Sequence, residues 1–379
     1  MNSYQRLFSS ALAHLPARLH AAAHSHHLRP DVVRDAQNAC LEDAFQLADG
    51  KWQKFFEVVY PSAQAHVARL LGTGRPENIV FGSSTHELLL RVLSCFSAPV
   101  RILTSDSEFH SASRQFLRLE EAGLAQVTRI PAEPFASFPE RFASAARSAH
   151  DLVFLSHVFF NSGYVVPDLE AIISAVPDPA TFVVVDGYHA FLALPVDLSR
   201  LQQRVFYLAG GYKYAMSGEG ACFLHAPDGY GPRPVNTGWF AGFGALEGAA
   251  AGHVPYASDA SRFAGATLAP DGIYRFAAVM ALLAEHGVDA AVVHERVQAL
   301  QELFLERLTT PALPRAQLLV PGPRGNFLTW RTAEAATLQQ RLSALGIVSD
   351  HRADRLRLGF GLYHDPADIE ALAELVNQL

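Results

Sequence analysis

Cysteine is scarce: Cys40, Cys95 and Cys222 stand far apart among 379 residues, with no C-x-x-C spacing. That excludes a disulfide framework and a cysteine-based zinc site. Charge is also sparse, at 18%, and no basic run occurs; 30 Lys plus Arg face 37 Asp plus Glu, a net charge of −7. A nucleic-acid surface needs clustered Lys and Arg to neutralise phosphates, so that class of partner is set aside. No window approaches the ~18 uninterrupted apolar residues of a membrane span. The opening MNSYQRLFSSALAHLPARLH is broken by His, Arg and Pro and lacks a signal-peptide core. These absences predict a soluble, cytoplasmic protein with no membrane partner. What the chain has in plenty is apolar residues, 50% of the total. That is enough for a large core and incompatible with disorder.

Short apolar runs alternate with helical patterns from residue 78 to 225. The runs are Asn78 to Phe81, Val100 to Leu103, Val127 to Ile130, Leu152 to Ser156, Phe182 to Asp186, Val205 to Leu208 and Ala221 to His225. They are continuous rather than alternating, which marks strands buried on both faces. Strand and helix in alternation imply βαβ units, so the first expectation is an α/β fold with a large, mostly parallel, seven-stranded sheet. Residues 229–272 are rich in Gly, Pro and Ala and read as a long ordered loop. A helical stretch, Tyr274 to Arg307, precedes an α+β pattern: strands Ala316 to Val320, Asn326 to Trp330 and Leu356 to Gly359, with helices Ala333 to Leu345 and Pro366 to Leu379. The predicted organisation is an N-terminal arm and active-site loop (1–50), a large domain (51–275) and a small α+β C-terminal domain (276–379).

In such sheets chemistry gathers at the carboxyl ends of the strands. Asp186, in DGYH, ends the most apolar strand; Lys213, in GGYKY, follows the next one. A Lys so placed suits condensation with an aldehyde cofactor. Pyridoxal phosphate also needs a carboxylate against its pyridine nitrogen, to keep it protonated and make the ring an electron sink. The competing reading, a capping Asp and a solvated Lys, explains each residue alone but not the ordered pair. Gly82-Ser83-Ser84-Thr85, after a strand and before a helix, offers the backbone N–H groups and hydroxyls that a phosphate requires, or else a plain N-cap. His24, His26 and His27 invite a metal reading, but no carboxylate or Cys nearby completes a ligand set; no metal is expected.

DGYH, GYKY followed by SGEG, GWF at 238–240 and LRLGFGLYHD near the end resemble the class V aminotransferases, pyridoxal-phosphate enzymes of fold type I. Within that group the kynureninases are most similar, from about Ala21 to Tyr363. The resemblance implies that Ser84, Thr85 and Tyr212 hold the phosphate, that Phe109 of SDSEFHS stacks on the cofactor ring, and that His189 lies beside it. Phe109 could also be plain core. Trp239 and Thr267 correspond to positions that serve the cofactor site from a neighbouring subunit, which implies a homodimer. Ser25 and Asn161 correspond to substrate-facing positions. Arg357, whose fork matches a carboxylate, is expected to hold the substrate α-carboxylate, with Arg324 as runner-up and Arg355 as a support charge. Departures from the kynureninase pattern fall at His24, His26, His27, Ala241-Gly242 and Thr267.

The function implied is kynureninase-like: hydrolysis of the Cβ–Cγ bond of L-kynurenine or a related β-keto amino acid, giving an aryl acid and L-alanine, with Lys213 as base and Asp186 as partner of the pyridine nitrogen. Other class V chemistry stays open: aminotransfer, racemisation or epimerisation, and β-elimination of the cysteine desulfurase or selenocysteine lyase kind. A desulfurase needs a nucleophilic Cys on a mobile loop. Cys222 falls in an expected buried strand, Cys40 and Cys95 in expected helices.

Overall fold

A computed structural model describes residues 2–14, 19–229, 231–248 and 252–379. The seven apolar runs form β1 (Ile79–Gly82), β2 (Val100–Ser105), β3 (Ala125–Ile130), β4 (Leu152–Ser156), β5 (Phe182–Asp186), β6 (Val205–Gly210) and β7 (Cys222–His225). They make one sheet in the order β1-β7-β6-β5-β4-β2-β3. β7 runs antiparallel to both neighbours; every other pairing is parallel.

Burial on two faces explains the continuous runs. In β5, Val183 and Val185 pack into one core cluster while Phe182 and Val184 pack into the other. β4 divides in the same way, Val153 and Leu155 against Leu152 and Phe154. The edge strand β3 turns Gln126 and Thr128 outward, and its neighbour β2 turns Arg101 outward. A third cluster, including Leu300, Phe304, Trp330, Leu356 and Ile369, lies under a separate antiparallel sheet. That sheet is β8 (Leu328–Arg331), β9 (Asp350–Arg352) and β10 (Arg355–Leu358), in the order β8-β10-β9. The N-terminal segment joins it through bridges from His20 to Val348 and from Ala22 to Gly359.

Several expected elements change. The helical stretch from Tyr274 is two helices, Pro270–Glu285 and Ala290–Arg307, set at 79°. Gly287, at φ +63°, ends the first, and Asp289 caps the second by accepting from Val292 N at 2.9 Å. Ala316 to Val320 is not a strand: Arg315–Gln317 is a 3-10 turn and Leu318 makes a single bridge to Trp330. Pro314, Pro321 and Pro323 flank this run and withhold ladder donors. β9 arises in the polar stretch SDHRAD, where no apolar run announces it. Residues 229–272 hold 3-10 turns at Trp239–Gly248 and Ala260–Phe263. Among the described residues no single helix is long and apolar enough to cross a membrane.

Candidate active site

A cavity of ≈ 320 Å3 opens at the carboxyl ends of the parallel strands. β5 delivers Asp186 to its wall, where Oδ1 accepts from the Tyr188 backbone N–H at 2.9 Å. Burial pushes the Asp186 carboxyl up to about 6, against the pull of that N–H and of Lys213. The turn that aims it requires Gly187, because a Cβ there would lie 1.9 Å from Tyr207 Oη. β6 then delivers Lys213, which is buried on the same wall. Its ammonium sits 4.8 Å from the Tyr212 ring centre, 5.2 Å from Tyr188 and 5.9 Å from Phe109. Burial, and then the charge of Arg357, bring Lys213 down to about 7; Asp186 and Asp350 oppose them.

The opposite end of the cavity is a helix start. Ser84 caps the helix Thr85–Leu93, its Oγ accepting from Glu87 N at 3.1 Å. Ser83, Ser84, Thr85 and His86 all line the cavity. Phe109 precedes the helix His110–Glu121 and meets Phe160 edge-on at 5.3 Å. His189 is buried on the wall, with Nδ1 unpartnered among the described residues; burial and the charges of Lys213 and Arg357 keep its ring neutral. His86 Nδ1 is likewise buried without a partner. The donor set fits pyridoxal phosphate: an amine near neutrality, a buried carboxylate, a hydroxyl-lined helix start, a flat aromatic wall and two orphaned imidazole nitrogens.

Thus Lys213, Asp186, Ser84, Thr85, Phe109, His189 and Tyr212 converge on one cavity. The others do not line it. Ser25 Oγ lies 3.3 Å from His26 Nδ1. Asn161 donates to Ser107 Oγ at 3.3 Å, beside the cavity-lining Phe160. Trp239 is 45% exposed and stacks on Phe240, and Thr267 is exposed. Neither reaches the cavity of its own chain, which corrects any reading of them as local cofactor contacts. Trp239 packs on Phe240 and Phe243 instead.

Arg357 is buried, but not as a free fork. Its Nε donates to Asp350 Oδ1 at 2.9 Å, its Nη2 to Oδ2, and its Nη1 to the Phe160 carbonyl. Arg324 is committed elsewhere, to Gln301 Oε1 at 2.7 Å, Pro321 O and Glu302. Arg355 pairs with Glu133 at 3.0 Å. The three N-terminal histidines part ways: His24 meets Asp350, His26 stacks on Tyr212 at 4.8 Å, and His27 Nε2 accepts from Leu362 N. Among the described residues, no group of three or more His, Cys, Asp or Glu could share a metal ion.

Sequence reasoning passed over Ser156, Tyr188 and Cys222, all on the cavity wall. Ser156 ends β4, so the strand-end rule could have found it; Tyr188 lies inside DGYH. Cys222 is buried, as expected, and its thiol is pushed up to about 11, first by burial. Nothing in the sequence pointed to Asp350.

The sequence pattern of the aminotransferase class-V family matches residues 48–372. A probable cysteine desulfurase of Vibrio cholerae is 25% identical over 170 residues; the alignment takes in 43% of this chain and only 42% of that relative. Among solved structures, a C-DES mutant with glycine covalently linked to the PLP cofactor superposes with a TM-score of 0.84 at 19% identity, covering 99% of both chains. The complex of the cystine C–S lyase C-DES with cysteine persulfide gives 0.82 at 20% identity, over 97% of this chain and 98% of that one. A cysteine desulfurase of Thermococcus onnurineus gives 0.78 at 17% identity, over 100% and 98%. At these identities the likeness establishes the fold.

Proposed function

The chain belongs to the aminotransferase class-V family, pyridoxal-phosphate enzymes of fold type I, and from that premise we propose that it is a lyase that eliminates a sulfur substituent from the β-carbon of an amino acid. The observation that carries the reading is a near-neutral, buried Lys213 beside Asp186, in a site without a reactive thiol. Cys95 and Cys222 are buried and Cys40 lies half-buried in a helix. Burial raises all three thiols, so none is a ready thiolate. Sulfur then leaves on the substrate's own fragment instead of passing to a protein cysteine. The kynureninase-like hydrolysis implied by sequence resemblance ranks below this, because the matched proteins carry desulfurase and C–S lyase names.

Bound pyridoxal phosphate supplies the electron sink for negative charge at Cα. Asp186 holds a proton on the pyridine nitrogen, and Ser84, Thr85 and the helix start grip the phosphate. Phe109 covers the ring face. Lys213 Nζ, whose basicity burial lowers towards neutrality, takes the α-proton. Arg357 receives the α-carboxylate. The Cα–H and Cβ–S bonds break and the thiolate or persulfide departs. Water then converts the three-carbon fragment to pyruvate and ammonia. A homodimer belongs to the same proposal: the exposed Trp239, Phe243 and Leu246 offer an apolar face to a second copy.

The test is product analysis with L-cystine, S-methyl-L-cysteine, L-cysteine and L-kynurenine. Pyruvate and ammonia in equal amounts from cystine or S-methylcysteine support the proposal. Alanine as the sole amino-acid product, from cysteine or from kynurenine, overturns it.

A further inference from the structure

The N-terminal AAHSHH segment has a place at the site that the proposed chemistry leaves unused. Residues 19–23 are held between the residues that lead into β9 and those that follow β10: Ala21 N donates to Val348 O at 2.8 Å, Gly359 N to Ala21 O at 2.8 Å, and Ala23 N to Gly359 O at 3.1 Å. This drives His24, fully buried, against Phe327, with ring centres 4.6 Å apart and 22° between planes. Gly359 makes the room; a Cβ there would stand 2.4 Å from His24 Nδ1.

His24 Nε2 lies 3.2 Å from Asp350 Oδ1, the oxygen that also accepts from Arg357 Nε. Asp350 and Arg357 are directly opposed across β9 and β10, so their pairing is built into the strand register. The Asp350 carboxyl, beside Arg357 and His24, is held far below the usual carboxylate range although burial opposes this. It has no proton to give. Burial keeps His24 neutral near pH 7, so its Nε2 carries the hydrogen and donates it to Asp350. A guanidinium has five N–H bonds. Asp350 takes one from Nε and one from Nη2, and the Phe160 carbonyl takes one from Nη1. One hydrogen remains on each terminal nitrogen, so two donors are left for the oxygens of a carboxylate.

We infer that His24 and Asp350 are positioning residues for Arg357, aligning its guanidinium so that its two unspent hydrogens receive the substrate α-carboxylate. The N-terminal arm is thereby part of substrate selection for amino acids over amines. This rests on the reading of Arg357 as the carboxylate anchor.

The holoenzyme is titrated with L-methionine, which has no sulfur on its β-carbon to eliminate, and, separately, with 3-(methylthio)propylamine, which lacks the carboxylate, and binding is followed by the absorption of the bound cofactor. His24→Phe keeps the stacking on Phe327 but loses the donor. It should raise the dissociation constant of the amino acid about tenfold and leave that of the amine within about twofold. His24→Gln returns an N–H donor and should recover most of the loss. Asp350→Asn should raise the amino-acid constant about 10- to 100-fold, again sparing the amine. Amino-acid binding unchanged in His24→Phe and Asp350→Asn, with a large loss in Arg357→Ala, overturns this inference alone. Unchanged binding in Arg357→Ala overturns the anchor reading and this inference with it. Equal losses for amino acid and amine reveal a general packing role and also overturn it.

Discussion

Two buried acid–base pairs lie in and beside this cavity, and they are built in opposite ways. Asp186 and Lys213 share a wall with no ion pair between them among the described residues, and desolvation dominates both: the acid is pushed up to about 6, the base down to about 7. Asp350 and Arg357 are locked by two side-on hydrogen bonds, with His24 adding a third to the carboxylate. Burial brings both members of the first pair towards neutrality, which suits Lys213 to the work of a base. The second cannot exchange protons; what it supplies is a fixed direction for charged donors. Asp186 and Lys213 line the cavity whereas Asp350 and Arg357 lie behind its wall, and hydrogen-bond saturation separates the pairs further.

The harshest way to break the poised pair is Lys213→Ala. Turnover should fall on the order of 10^4-fold, the scale seen when a central catalytic group is removed, and the visible absorption of the purified protein should be lost. Asp186→Asn keeps shape and removes charge. Cofactor should still bind, and turnover should fall roughly 10^2- to 10^3-fold. Unchanged turnover there would assign Asp186 to architecture.

The locked pair is tested by Arg357→Lys, which keeps charge but loses the fork. A charged hydrogen bond is worth about 1.5–3 kcal/mol, so kcat/KM should drop about 10- to 100-fold. Arg324→Ala is the control, since Arg324 is spent on Gln301, Pro321 and Glu302; it should lower stability and leave kcat/KM within about threefold. The reverse pattern would hand the carboxylate to Arg324.

The contrast also sets a pH dependence in the cofactor-free protein. Folded, Lys213 titrates near 7 rather than 10.5. Between those values the unfolded chain binds more protons, so this group makes stability rise with pH, by up to ~1.4 kcal/mol per unit. Asp186 acts in the other direction. Its folded value of about 6 lies above 3.8, so the native state binds more protons and its contribution falls as pH climbs from about 4 to 6. Lys213→Met should abolish the upper slope and leave the lower. Urea midpoints measured across this range in both proteins decide it, and equal upper slopes would refute a desolvated Lys213.

The poised pair was legible in the sequence and the locked pair only half so. Asp186 and Lys213 follow continuous apolar runs, and the strand-end rule leads straight to them. Their glycines carry a physical reason that sequence can suggest: Gly187 has no room for a Cβ beside Tyr207. Arg357 stood out by its side-chain chemistry together with the family resemblance, but Asp350 lies in SDHRAD, without apolar period or turn signal. His24 meets it across 326 positions of chain, a contact no local pattern encodes. Trp239 and Thr267 came from resemblance alone, and a single chain keeps both away from the cavity.

Arg355 offers the smallest and most discriminating test, because alternation along β10 gives it the same facing as Arg357. What separates them is solvent and partner. Arg357 is buried on Asp350, whereas Arg355 reaches Glu133 at 3.0 Å and the Asn161 carbonyl at 3.2 Å near the surface. Glu133 also pairs with the more exposed Arg331, so it keeps a cation when Arg355 is removed. Surface ion pairs of this kind contribute about 0.2–1 kcal/mol. Arg355→Ala should therefore lower stability within that range by urea denaturation, with kcat/KM unchanged within about twofold. A loss of kcat/KM comparable to that of Arg357→Lys would mean that the strand face, rather than the locked pair on it, governs carboxylate binding.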